Sequence, residues 1–266
     1  MVAFAVLIAV LVIALTPYLW LFMTSIKTRI DALADSPVWI FTPTFEHYPK
    51  IFIDKNYLPL VFNSLIVAGT TTTLSLLIGV PAAYAFARYE FVGKEDLFFF
   101  FLTTRMAPPI SVVVPMFLLF GYVGLIDTRL SLILAHTTFN LSLVVWMMRG
   151  FFDDIPREID EAGQMDGHTR AGVFFNILLP LAAPGIAATA VLCFMLSWNE
   201  FLYAFILVAF EGRTLTVGIP GLVTPHGTLW GQVAAVAVVA TLPIIVFTFL
   251  VQRHLVRGLT FGAVKG

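Results

Sequence analysis

DDIPREIDEAGQMDGHTRAGVFFNILLPL, residues 153–181, is a polar, helix-competent stretch lying between two long apolar runs. Asp153 or Asp154 reads as an N-cap, and Pro156 suits a first turn, where its missing N–H costs nothing. Glu158, Asp160 and Glu161 complement the positive end of a helix dipole. Gly167 is a natural C′ residue, ending the helix in a left-handed conformation. The pattern predicts a short helix over about 156–166 that is too polar to enter lipid. Ile155, Ile159, Ala162 and Met165 or Asp166 fall on nearby faces at helical spacing. A capped amphipathic helix of this kind suits docking into a groove on a partner protein.

The surrounding chain is of a different character. Of its 266 residues, 59% are hydrophobic and only 12% charged, with mean hydropathy +0.95. Soluble domains carry about 25% charged residues, so this surface cannot be coated by charge and the chain belongs to the membrane class. The net charge of -1 provides no basic field for nucleic acid. Cys193, the single cysteine, lies in an apolar run and reads as a small core hydrophobe. The run from Met1 stays uncharged up to Lys27. That exceeds the roughly 7–15 residues of a secretory h-region, so it reads as a spanning helix.

A spanning helix needs about 20 apolar residues, and six stretches qualify. They run over about Val2 to Met23, Leu60 to Phe86, Leu97 to Tyr122, Leu130 to Met148, Ala182 to Val208 and Gly231 to Val251. The first connection, 24–59, is long and rich in Pro and aromatics, while 88–96 and 121–129 are short turns. Residues 211–230 read as a mixed loop or re-entrant segment. Arg88, Lys94, Arg149, Arg157, Arg170, Arg253, Arg257 and Lys265 fall on the side of the 153–181 loop. Lys27, Arg29, Lys50, Lys55, Arg129 and Arg213 fall opposite, and this bias places both termini and the loop in the cytoplasm. Internal repeats and low-complexity segments are not evident.

Glu161-Ala162-Gly163, then Asp166-Gly167, then Ile177-x-Leu179-Pro180 resembles the EAA loop of ABC-importer permeases. The spacing agrees, with Gly163 replacing the usual second alanine and His168 a small residue. Gly163 is expected to loosen the helix by about 1 kcal/mol relative to Ala. Ala82-Ala83-Tyr84-Ala85-Phe86-Ala87-Arg88 with Phe91-x-Gly93-Lys94, and Ser197-Trp198-Asn199-Glu200-Phe201, look like the carbohydrate permeases of that group. Residues Gly258 to Gly266 are similar to the tail of its MalG-type half.

This resemblance implies an all-α integral membrane fold: one permease domain over 1–266, six transmembrane helices and a cytoplasmic coupling helix, set in a bacterial or archaeal plasma membrane. It also implies partners: a MalF-like second permease, two ATP-binding cassette subunits and an extracytoplasmic solute-binding protein that delivers a carbohydrate. The coupling residues it points to are Arg157, Glu161, Ala162, Gly163, Asp166, Gly167, His168 and Arg170. Independently, the chain contains no G-x-x-x-x-G-K-[ST] phosphate loop. ATP and Mg would therefore be bound by the partner ATPase, and this chain is expected to need no cofactor, catalytic residue or metal of its own.

Charge inside a bilayer costs about 2.5–3.5 kcal/mol on insertion scales and defaults to a functional hypothesis. Arg105 precedes Met106-Ala107-Pro108-Pro109, where prolines break the helix, and Glu200 is a candidate partner for it. His136 and Asn140 share a helix face. Together with Asn63, Trp198 and Asn199 they are candidates for a substrate pathway, or for hydrogen bonds between helices. Pro81, Pro115, Pro184 and Pro243 would kink helices. A stand-alone secondary carrier is the main alternative, but it leaves the capped polar helix unexplained. A membrane enzyme would need clustered acid, base or metal ligands, and the five histidines are scattered.

Overall fold

The computed structural model describes the backbone of residues 2–225 and 227–262, and the side chains of 3–225 and 227–252. The MalG-type tail at 258–266 and the cations Arg253, Arg257 and Lys265 fall outside the described side chains. The described chain is mostly helical. Its long helices are α1 (Val2–Ser25), α2 (Leu58–Arg88), α3 (Lys94–Met106), α4 (Pro109–Tyr122) and α5 (Arg129–Asp153). They continue with α6 (Glu158–Met165), α7 (Ala183–Trp198), α8 (Leu202–Leu207) and α9 (Trp230–Gly262). Among the described residues, four helices are long and apolar enough to cross a membrane, or up to six if each bent pair counts as one span.

Two of the six expected runs are broken rather than straight. The third splits into α3 and α4, which meet at 97°. Pro108 and Pro109 force the break, because a residue before proline is driven out of the α region; Ala107 and Pro108 have ψ of 130° and 129°. The fifth splits at Asn199–Phe201, because the Glu200 carboxylate accepts the N–H groups of Tyr203 (3.0 Å) and Ala204 (3.1 Å) and so starts α8 afresh. The segment Arg170–Leu181, widened to a π-helical turn over Phe174–Leu178, meets α7 at 72°.

Contacts divide the chain into two units, 1–63 with 214–245, and 64–213 with 246–266. In the first unit, α1 is unburied throughout its most apolar stretch. The aromatic-rich connection after it has a defined purpose. Lys27 is 2% exposed, with Nζ 4.3 Å from the Trp20 ring centroid and 5.2 Å from that of Phe41. Ring faces attract the cation where water is excluded. The His47 ring caps the Lys27 carbonyl at 2.8 Å, and Tyr57 donates to the Gly218 carbonyl at 2.6 Å. Residues 211–230 hold short helical turns and a two-residue hairpin, Val223–Thr224 with Gly227–Thr228.

The second unit holds the main core. Val80, Ala83, Tyr84 and Ala87 of α2 pack with Leu143, Val144, Met148 and Phe152 of α5, and Val173, Phe174, Leu178 and Cys193 complete the cluster. Cys193 is a buried core residue, as its surroundings in the sequence indicate. At about 1.5 Å per residue, the 31 residues of α2 reach roughly 46 Å, well beyond a hydrocarbon core of about 30 Å. At least one end therefore lies outside the hydrocarbon, and charged side chains gather at the Arg88 end. There Arg149 pairs with Glu95 (3.1 Å) and Asp153 (3.6 Å) and lies 4.1 Å over Phe98. Lys94 pairs with Glu90 at 2.9 Å, and this hydrogen bond holds the Glu90 carboxyl below its ordinary range.

Candidate functional site: the coupling loop

The short helix packs at this charged end of α2, with boundaries that differ from the sequence expectation. It is α6, Glu158–Met165, and its N-cap residue is Arg157. Asp153 and Asp154 do not cap it, and Pro156 is not in its first turn. Instead α5 continues past Met148 to Asp153, held by the Arg149 ion pairs, and Asp154 is its C-cap. Ile155 and Pro156 are then needed to turn the chain.

The end of α6 behaves as its sequence indicates. Gly167 has φ of +90°. The Gly167 N–H donates to Gln164 O (3.1 Å) and the His168 N–H to Gly163 O (3.1 Å), the paired bonds of a Schellman motif. Thr169 then caps the next turn, its hydroxyl accepting the Gly172 N–H at 3.1 Å.

The faces of α6 separate cleanly. Ile159, Asp160 and Gly163 point inward, and Ile155 and Ile159 pack on the main core. Glu158, Glu161, Ala162 and Met165 are exposed, Met165 at 88%. Ile155, Ile159, Ala162 and Met165 or Asp166, expected on nearby faces, are thus divided between the inward and exposed sides. At about 100° per residue, steps of three walk backwards round the helix by about 60° each. Gly163 has a tight reason to be glycine, since a Cβ there would lie 2.7 Å from Ile177 Cδ1 and 3.0 Å from Val173 Cγ2. What looked like a loosening of the helix is a point of close approach between the two halves of the EAA motif.

The attachment of α6 to α2 is ionic. Arg88 Nε lies 3.0 Å from Asp160 Oδ2, with side chains 6% and 12% exposed. The contact is off the ideal hydrogen-bond line. Arg88 Nη2 also donates to Ile155 O at 2.8 Å, and Tyr84 Oη donates to Asp160 Oδ1 at 3.4 Å. In return, Arg157 Nη2 donates to Ala87 O at 3.2 Å, satisfying one of the orphan carbonyls at the end of α2. Removing one member of a buried pair costs about 3–5 kcal/mol, because the other charge is stranded. Sequence reasoning treated Asp160 as a dipole complement and Arg88 as an orientation charge. The missed signal was a carboxylate on the inward face, between Ile159 and Gly163.

The remaining coupling candidates, Asp166, His168 and Arg170, are exposed, and Arg170 lies 5.7 Å over the Tyr89 ring.

The residues suspected of lining a pathway are dispersed. Arg105, Thr104, Phe139, Glu200 and Tyr203 border a cavity of about 630 Å³. Arg105 is exposed, and none of the ion pairs among the described residues includes it. Glu200 faces fully buried His136 instead, Oε2 to Nε2 3.4 Å, besides capping α8. Asn140 is fully buried and bridges α5 to α7, donating to Ser197 Oγ (2.8 Å) and Cys193 O (3.2 Å). Trp198 is buried and stacked on Phe194, with centroids 5.8 Å apart, while Asn199 is exposed and donates to Met195 O. Asn63 is buried in the first unit.

Residues 75–261 match the family described as binding-protein-dependent transport system inner membrane component, and the chain belongs to that family. It is a transport subunit rather than an enzyme. It is 39% identical to the trehalose transport system permease protein SugB of Mycobacterium tuberculosis, over 95% of this chain and 93% of that protein. It is 34% identical to the trehalose/maltose transport system permease protein MalG of Thermococcus litoralis, over 98% and 95% of the two chains. A solved structure of a bacterial ABC transporter that imports the acidic polysaccharide alginate aligns at TM-score 0.76 and 25% identity, covering 95% of each chain.

Proposed function

We propose that this chain is the permease subunit of an ATP-driven importer. With a MalF-like second permease it lines a pathway for a carbohydrate delivered by an extracytoplasmic binding protein. The observation that carries the reading is α6: a helix fixed to its own chain by one face while the other, with Met165 and Glu161, is exposed. A groove on an ATPase subunit fits that face. Glu161, Ala162 and Met165 enter it, and Arg157, Asp166, His168 and Arg170 contact its rim. ATP and Mg bind to the ATPase chains. Closure of the ATPase pair carries the docked helices with it and switches the pathway between inward and outward access. This requires nucleotide to favour one arrangement, since a ligand shifts populations only by differential affinity.

The carbohydrate class is supported by relatives named for trehalose, trehalose/maltose and alginate uptake. The cavity bordered by Arg105 and Glu200 is the candidate pathway surface in this chain. The bias of Lys and Arg, eight against six, supports a cytoplasmic side for the termini and the coupling loop.

The test is to co-express the chain with its partner permease and ATPase, place the assembly in nanodiscs and add the binding protein. Glu161→Lys and Gly167→Pro should abolish binding-protein stimulation of ATP hydrolysis while the helices remain inserted. Transport that persists without any ATPase would overturn the reading in favour of a secondary carrier.

A further inference from the structure

We infer that Arg88 and Asp160 form a transmission clamp, making the coupling helix α6 and the adjoining end of α2 a single moving body. The inference rests on the importer reading above and names the part of the membrane domain that receives the ATPase stroke.

Beyond its direct continuation from α5 through residues 154–157 and the close approach of Gly163 to Val173 and Ile177, the loop has three attachments to the rest of its unit, and they differ in stiffness. Ile155 and Ile159 pack on the core through apolar contacts, which resist separation but tolerate sliding. At its C-terminal end, α6 leads through Gly167 and Thr169 into a segment containing a π-helical turn, Phe174–Leu178. π-bulges are places where helices kink and are frequent at functional sites. The third attachment is directional. Arg88 reaches Asp160 on α6 and the Ile155 carbonyl just before it, while Arg157 reaches back to the Ala87 carbonyl. Tyr84, one turn earlier on α2, donates to the same carboxylate and packs on Phe174 at 4.8 Å and Phe152 at 5.6 Å. Two arginines running in opposite directions between the same two elements block sliding along either. Charged hydrogen bonds are also the strongest of these contacts and the most demanding in geometry. A stroke applied at Met165 and Glu161 is therefore delivered first to α2. The second helix of this fold is the primary receiver, and Asp160 is a positioning residue that acts through Arg88.

Two measurements on the complete assembly in nanodiscs test this. The first needs no change to the clamp. Spin labels are placed at Gln164 on α6, exposed and off the docking face, and at Val92, fully exposed in the turn just after α2. Their distance is compared between nucleotide-free and ATP-trapped states. The clamp requires a separation that holds within the about 1–2 Å of ordinary helix shifts. A larger change overturns it, whatever the variants do. The second compares Asp160→Asn, which keeps the Tyr84 acceptor but loses the charge, with the reversed pair Arg88→Asp/Asp160→Arg. Asp160→Asn should still bind the ATPase and hydrolyse ATP at the basal rate within about twofold. Sugar delivered per ATP should fall about tenfold or more, and the reversed pair should recover a substantial part of it. If Asp160→Asn fails to insert, recovery by the reversed pair supports the clamp and its failure counts against it. Wild-type coupling in Asp160→Asn also overturns the clamp. Glu161→Lys serves as the separate control for the importer reading. If it leaves ATPase binding intact, the docking assignment fails; if it abolishes binding while Asp160→Asn transports normally, only the clamp fails.

Discussion

Gly163→Ala sets two effects of similar size against each other. Alanine gains about 1 kcal/mol over glycine in a helix interior. The new Cβ would fall 2.7 Å from Ile177 Cδ1, where carbon contacts settle at about 3.5–4.0 Å, so Ile177 must retreat by roughly 1 Å. Overpacking by a methylene costs about 1–3 kcal/mol. The clashing atom ends a flexible side chain, so the lower end of that range applies. The single variant should then lie within about 1 kcal/mol of wild type. Ile177→Val removes the clashing atom and alone should cost about 0.5–1.5 kcal/mol. In that background Gly163→Ala keeps its propensity gain and loses its main clash. The double-mutant cycle should show a favourable coupling of about 0.5–1 kcal/mol. SDS titration of the assembled permease pair, followed by far-ultraviolet circular dichroism, measures each corner. Strict additivity would refute the reasoning, because it would mean that Ile177 does not press on position 163.

Three further outcomes follow from the geometry. Asp127 Oδ1 accepts the N–H groups of Ala209, Phe210 and Glu211, so Asp127→Ala should cost about 1.5–3 kcal/mol and speed hydrogen exchange at those amides. Gly167→Ala forces a side chain into φ of +90° at about 1–2 kcal/mol, and should weaken ATPase co-purification about tenfold for each 1.4 kcal/mol. Asn140→Leu strands the buried Ser197 hydroxyl and should lower the SDS midpoint by the equivalent of about 1–3 kcal/mol, without changing the helix content of the native state.

Much of this arrangement was legible because membrane sequences are simple where lipid dictates composition. The ends of α1 and α2 and the start of α9 follow apolar run length, although α9 continues past Val251 to Gly262, and the Gly167 cap follows from the conformational freedom of one residue. The breaks were harder to read. Glu200 reads as a buried charge in need of a partner, and only the folded chain shows that it is spent on His136 and the first turn of α8. Pro108 and Pro109 announce a break, but the 97° bend is set by the ψ angles they impose. Asp160 was hidden for a different reason. Its neighbours Glu158 and Glu161 are exposed, and a run of acids gives no hint of which one turns inward until the helix phase is fixed. The phase depends on where α5 stops, and α5 runs beyond its apolar stretch because Arg149 is held by Glu95 and Asp153.

The division of α6 into a face answered for by its own chain and a face left open bears on how such subunits diversify. Residues 159, 160 and 163 are tied to neighbours in the same polypeptide, so they drift only when those neighbours drift with them. Residues 158, 161, 162 and 165 are exposed, and under the proposed function they answer to the ATPase subunit. Transplanting those four positions from a relative should re-address this permease to the relative's ATPase while its own folding is untouched. A genome with many importers and few ATPases, or many of each kept apart, can be wired either way by changes confined to one exposed helical stripe.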